Sequence, residues 1–275
     1  FNASVYDVFG KLTYRISDKI DLRGSIFHSK DGYMYGEPKS LDNLAWDNLA
    51  GNLNLEYRIN EKWMFRSVAS YNDYGSLQEQ EKELNGSQNS LSIKSSIYEI
   101  MIREVAQYNI VPGMSLKFGI TGKFNRFNPG SSKYYEGSDL EKGDSIPYSD
   151  KISNTFLGTP FIQYELAKEN KYRFMLAARY NIFVNSDKKY SFQTLIHNPE
   201  VSAIANYSFF PWLGAEASFD YISQYFHTLE GIPLGWSLDM IIPSSDDYKP
   251  ETSIQYYLGL FSNIGQHHRI SVGAY

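Results

Sequence analysis

Cysteine is absent from the 275 residues, which excludes disulfide frameworks and thiolate metal sites. No apolar run approaches the ~18 residues that a membrane-spanning helix needs. A basic surplus is missing too: the formal net charge is -5, so no electrostatic footprint for nucleic acid exists. Histidine is sparse, at positions His28, His197, His227, His267 and His268, and none of these is spaced like metal ligands on a helix. His267 and His268 are neighbours at a tight turn, and neighbours on a strand point to opposite faces. No Gly-x-x-x-x-Gly-Lys-Ser/Thr phosphate cradle occurs. Asp246-Asp247, and Asp139 with Glu141 and Asp144, lack the ligand spacing of a calcium loop. No local signature marks an activated serine, so we expect no enzyme, no cofactor and no metal.

What the chain has is aromatics and alternation. Aromatic residues make up 16%, and the 23 tyrosines outnumber the 17 phenylalanines. A tyrosine excess suits surfaces that are half wet and half apolar. From Val5 to Ile16 one face takes Tyr6, Val8, Leu12, Tyr14 and Ile16. After Ser17-Asp18-Lys19 the pattern returns as Ile20, Leu22, Gly24 and Ile26 against Asp21, Arg23 and Ser25. This period of two is the signal of a half-buried strand.

The same unit recurs. Short turns are expected at Asn60-Glu61-Lys62, Val111-Pro112-Gly113, Lys168 to Lys171, Phe210-Pro211-Trp212 and Gly265-Gln266. Polar stretches at about 31–48, 75–90, 128–153, 185–197 and 228–251 separate the pairs and read as long loops. The strand after Leu91 slips phase near Ile100, which predicts a bulge there. Six hairpins with short turns at one end and long loops at the other match an outer-membrane barrel. Arg173, Met175, Ala177, Arg179 and Asn181 then line a wet lumen, while Tyr172, Phe174, Leu176, Ala178 and Tyr180 meet lipid. Trp63 and Trp212 fall beside short turns, at the level of an aromatic girdle. A soluble β-sandwich also alternates, but its strands are shorter. A solenoid would need a fixed-period repeat, which is absent.

One run is more specific. Gln224-Tyr225-Phe226-His227 leads through Pro233, Asp239 and Pro243-Ser244 to Pro250-Glu251, then Gln255 and Leu258-Gly259. It resembles the barrel segment of TonB-dependent outer-membrane transporters, in the Bacteroidota branch with a carboxypeptidase-regulatory-like N-terminal domain. Asn125-Arg126-Phe127-Asn128-Pro129-Gly130 looks like that branch's strand-to-loop exit, and Asn198-Pro199-Glu200 like its strand entry. The physical content of the run is also plain: Pro233, Pro243 and Pro250 break pairing and shape a loop. We therefore weigh loop architecture above direct ligand contact for the motif.

The resemblance implies an all-β fold: an antiparallel transmembrane β-barrel segment of about 12 strands out of 22. Residues 1–275 would be one arc of the barrel domain, with the plug and the TonB-contacting segment outside this chain. The competing expectation is a complete twelve-stranded barrel. The implied function is TonB-dependent uptake of a nutrient (peptide, glycan or metal chelate) across the bacterial outer membrane. The alternative is a structural or assembly subunit of a larger outer-membrane complex. Implied partners are outer-membrane lipid, the plug and TonB, with a surface lipoprotein or a larger membrane complex as open alternatives and no nucleic acid. Because aromatics carry much of ligand recognition, Tyr33, Tyr35, Tyr134, Tyr135, Tyr225, His227 and Trp236 are the candidate ligand contacts.

Overall fold

The computed structural model describes residues 1–37, 40–84, 87–136, 144–145, 152–187, 193–229, 240–264 and 268–275. Its strands are β1 (Asn2–Ser17), β2 (Ile20–Glu37), β3 (Ser40–Arg58), β4 (Trp63–Leu84), β5 (Ser87–Val111) and β6 (Met114–Glu136). They continue as β7 (Asp144–Ser145), β8 (Ser153–Lys168), β9 (Tyr172–Asp187), β10 (Gln193–Phe210) and β11 (Leu213–Gln224). The last are β12 (Phe226–Leu229), β13 (Met240–Pro243), β14 (Glu251–Ile264) and β15 (His268–Ala274). Twelve of them form one antiparallel meander in the order β1-β2-β3-β4-β5-β6-β8-β9-β10-β11-β14-β15, while the two-residue β7 pairs with β6. No helix occurs among the described residues. β1 and β15 lie at the two edges and, among the described residues, do not pair with each other. The fold is an antiparallel transmembrane barrel wall; among the described residues the one other sheet is the two-stranded β12-β13, too small to be the second layer that a sandwich requires.

The wall has two chemically distinct faces. The paired rows Gly24, Leu53, Ala69, Ile102, Gly122 and Gly158 and Ile20, Tyr57, Phe65, Ala106, Phe118 and Ile162 run along the outer face. Leu176, Ile102 and Ile120 are each more than half exposed there. The inner face carries ion pairs: Glu56 to Arg58 and Arg66, Glu165 to Arg173 at 2.8 Å, Glu99 to Lys123 at 3.6 Å, and Glu216 to Arg269 at 3.7 Å. Such alternation gives lipid one surface and water the other. Next to the short turns the outer face turns aromatic. Trp63 packs with Phe65, Tyr108 and Phe118, and Trp212 stacks on Phe210 with ring centroids 5.6 Å apart. This is the expected girdle.

The expected short turns after β1, β3, β5, β8 and β10 are present; the turn at 265–267 lies outside the described residues, as does His267. Gly113 is required at its turn. Its φ is 82°, and a Cβ there would collide with the Ala167 carbonyl oxygen.

The expected long loops at 31–48, 75–90 and 185–197 are corrected. β2 and β3 extend to Glu37 and from Ser40, β4 and β5 to Leu84 and from Ser87, and β9 and β10 to Asp187 and from Gln193. β5 is 25 residues long, and a bilayer takes only ~9–11 of them. Above the lipid both faces are wet, so an apolar alternation is no longer needed to hold a strand. Polar cross-strand pairs hold it instead: Asn43 donates to Glu79 at 3.0 Å, Gln80 to Asp42 at 2.8 Å, and the Ser76 and Ser95 hydroxyls are 2.7 Å apart. In the stretch at 128–153, β6 likewise runs on to Glu136, so Asn125 to Gly130 is not a strand exit. Asn198 is not a strand entry, since β10 starts at Gln193. The bulge lies at Lys94/Ser96, opposite Pro129 and Gly130, not near Ile100. Proline lacks the N–H that a regular ladder uses there. Near Ile100 apolar residues occupy both faces, which mimics a phase slip without one.

Candidate functional site

In the long connection at 228–251, β12 and β13 form their own two-stranded sheet, pairing Phe226 with Pro243 and Leu229 with Met240. This hairpin folds onto the inner face of the wall. The Phe226 ring sits 5.0 Å from that of Phe127 on β6 and 6.3 Å from that of Phe183 on β9. Tyr225 stacks on Phe183 at 4.9 Å. Phe127 is 2% exposed, Phe183 0% and Tyr225 4%. An aromatic core thus lies on the face that otherwise carries ions and amides. Such clusters contribute beyond their buried area, by about 0.5–1.5 kcal/mol per well-placed ring pair.

Polar groups secure the base of the hairpin. His227 Nε2 is 2.9 Å from Ser244 Oγ, and His227 Nδ1 is 3.0 Å from Glu251 Oε1. The Ser244 N–H donates to the Tyr225 carbonyl at 2.8 Å, and Asn185 Nδ2 donates to the Ser244 carbonyl at 2.8 Å. Beneath them runs a buried amide ladder. Thr159 donates to Asn181 at 2.7 Å, and Asn181 donates to Glu200 Oε1 at 2.7 Å. The same Glu200 oxygen accepts the Ser223 N–H at 3.0 Å, and Arg179 lies 3.8 Å from the other oxygen. Asn125 Nδ2 donates to Thr155 Oγ1 at 3.4 Å, and both residues are buried.

Tyr225 lies beyond the membrane-spanning part of β11. Burial pushes its phenol up, against the opposing pull of Asn198, Asn181 and Ser223 nearby. None of those three makes a well-formed hydrogen bond to its hydroxyl, which has no partner of good geometry among the described residues.

The order serine, histidine, carboxylate is that of a nucleophilic triad. Ser244, however, is 0% exposed and its N–H is committed to Tyr225. A substrate carbonyl has no approach to its oxygen, so the arrangement serves as a clasp. Among the described residues no three His, Asp or Glu side chains gather as metal ligands.

No family model matches the sequence, and no curated protein matches it. Solved structures do. The chain is similar to BauA, the ferric preacinetobactin receptor of Acinetobacter baumannii, with a TM-score of 0.62 and 10% identity over 98% of this chain and 46% of that one. FauA, the alcaligin outer-membrane receptor of Bordetella pertussis, gives a TM-score of 0.60 and 13% identity over 98% of this chain and 42% of that one. The RagAB peptide transporter gives a TM-score of 0.59 and 10% identity over 94% of this chain and 38% of that one. The fold is that of an outer-membrane receptor barrel. The chain spans less than half the length of these barrel proteins.

On this wall the three quoted sequence stretches converge. Asn125 and Phe127 come from the first, Glu200 from the second, and Tyr225, His227, Ser244 and Glu251 from the third. Arg126 points to the outer face, and Asn128 to Gly130 lie at the bulge. Gln224 Nε2 donates to the Phe226 carbonyl at 2.7 Å, closing the step from β11 to β12. Gln255 pairs with Asp220, Leu258 with Ala217 and Gly259 with Glu216, all as β14 ladder residues. Pro250 precedes β14. Pro233, Asp239 and Trp236 lie outside the described residues.

The candidate contacts split into two groups. Tyr33 and Tyr35 stand on the inner face of the extended sheet, and Tyr33 packs edge-on against Trp46 at 5.8 Å. The backbones of Tyr134 and Tyr135 pair with Leu91 and Ser90 at the same level. Tyr225 and His227 belong to the hairpin base instead. Phe183, Asn185 and Phe127's packing role were missed, while Asn181 stands on the inner face as expected. Phe183 and Asn185 extend the inward set of Arg173 to Asn181 by period two, the signal that could have found them.

Proposed function

We propose that this chain is part of the wall of an energised importer in the bacterial outer membrane, driven by TonB and built around a plug outside this chain. The observation that carries this reading is the two-sided wall, apolar outside and ion-paired inside, matched along 98% of its length by an outer-membrane receptor. The sequence resemblance supports the TonB-dependent family, the Bacteroidota branch and a 22-stranded closure. The cargo is a nutrient of the peptide, glycan or metal-chelate class. Tyr33 and Tyr35 on the projecting inner face, with Tyr134, Tyr135 and Trp236, supply cargo contacts. Tyr225 and His227 act by holding the inward hairpin.

The test is uptake in cells that lack either the full-length gene or TonB. Growth on one of those three nutrient classes should fail equally in both strains. Uptake that persists without TonB would sink the proposal.

A further inference from the structure

The outer face between the turn-side girdle and the upper polar row His28, Asp73, Arg126 and Asn154 is apolar or uncharged, with one exception. Among the described residues, Glu104 is the one carboxylate in that band, and the one other titratable group of the acid or imidazole kind is His197 on β10, four strands away and packed against Tyr180 at 5.8 Å. Its position follows from the ladder. Ser67 pairs with Glu104 and Glu104 with Ile120, and Ile120 is 52% exposed on the outer face. Its neighbours Arg103 and Val105 point inward, and the Arg103 guanidinium covers the Phe161 ring at 5.0 Å. Glu104 stands four residues above Tyr108, which pairs with Trp63 in the girdle. Four residues at ~3.4 Å per residue, tilted by about 40°, lift it about 10 Å into a band about 25 Å tall. That is near mid-height, where water does not reach.

Among the described residues the carboxylate has one donor: Ser67 Oγ donates to Glu104 Oε2. An ionised carboxylate offers about four acceptor positions, so most of its capacity faces outward. Small residues stand among its neighbours: Ala106 is two residues along the same strand, and Ala69 and Gly122 lie diagonally on the strands at either side, beside the larger Ile102 and Ile120. Small residues beside a polar one let a second backbone approach closely within a membrane.

We infer that the outer face around Glu104 and Ser67 is a docking site for a membrane-spanning segment of another protein, which presents a Lys, Arg or His side chain at that depth. Charge complementarity selects this occupant. A second copy of the chain docked with its two-fold axis at this patch would bring Glu104 against Glu104, and like charges there repel. Lipid tails offer no donor. The inference rests on the barrel-wall reading but not on any particular cargo.

The experiment uses the full-length protein in its own outer membrane. A photoreactive benzoylphenylalanine replaces Ile102 or Ile120 beside the carboxylate, or Leu258 on the outer face of β14 as the control. Adduct peptides are identified by mass spectrometry. The expected result is a protein adduct at 102 and 120, mapping to a membrane-spanning segment that contains a basic residue, with lipid adducts at 258. Glu104→Gln should lower that adduct at least tenfold. Lipid-only adducts at 102 and 120, an adduct to another copy of this chain, a segment without a basic residue, or an adduct indifferent to Glu104→Gln would each overturn the inference. Heat-modifiable migration of every variant reports on the wall itself, so failure of the barrel reading is told apart. Should Glu104→Gln not fold, the contrast between positions 102, 120 and 258 in the otherwise unaltered protein still decides.

Discussion

His227 lies on β12 and Ser244 directly follows β13, and the 2.9 Å contact between Nε2 and Oγ ties the two sides of the inward hairpin together at its base. Glu251, at the start of β14, holds the other ring nitrogen at 3.0 Å. One imidazole thus links the hairpin to the wall. His227→Ala should remove both contacts and leave Ser244 Oγ unsatisfied in a buried place, at a cost of about 1–3 kcal/mol. The readout is hydrogen exchange of the peptide 240–244 in the detergent-solubilised full-length protein. Exchange should rise about fivefold or more while heat-modifiable migration is kept. Unchanged protection would show that the clasp holds nothing.

Phe183 is the centre of the inner-face core, 0% exposed and stacked on Tyr225. Phe183→Ala leaves a cavity where a ring stood, which costs about 3–5 kcal/mol in a packed core. Urea unfolding in lipid vesicles should show a loss of that size. A loss below about 1 kcal/mol would mean that the hairpin is not packed against β9 as described.

The turn between β5 and β6 depends on Gly113, whose φ of 82° suits only glycine beside the Ala167 carbonyl. Gly113→Val should be a poorly folding variant, with about 2 kcal/mol or more of strain from the positive φ and the collision. The fraction reaching the heat-modifiable form should fall several-fold. Val111→Ala, two residues away at the end of β5 and without a positive φ, should fold like the parent.

The half of the fold next to the girdle was legible in the residues. Ser17-Asp18-Lys19 and Pro112-Gly113 mark turns by their chemistry, and Leu22, Leu55 and Ile102 alternate because one face must be apolar. The projecting half was not, because Asn43, Glu79 and Gln80 sit in strands above the lipid, where no apolar period is imposed. The inward hairpin was hidden for another reason. Its anchors Phe127, Phe183 and Phe226 are remote in sequence, and no local pattern reports that they meet. The quoted motif residues were singled out, but what joins Asn125, Glu200 and His227 is their common place on one inner face.

The central claim is that this wall separates lipid from a wet lumen, and Met175 and Leu176 test it most directly because they are adjacent and point to opposite sides. Leu176 is 56% exposed on the outer face, while Met175 pairs with Glu165 on the inner one. Each is replaced by arginine in the full-length protein, and unfolding is followed in lipid vesicles. Leu176→Arg should lose about 2–4 kcal/mol and Met175→Arg less than about 1 kcal/mol. Equal losses, or a greater loss at position 175, would contradict the account.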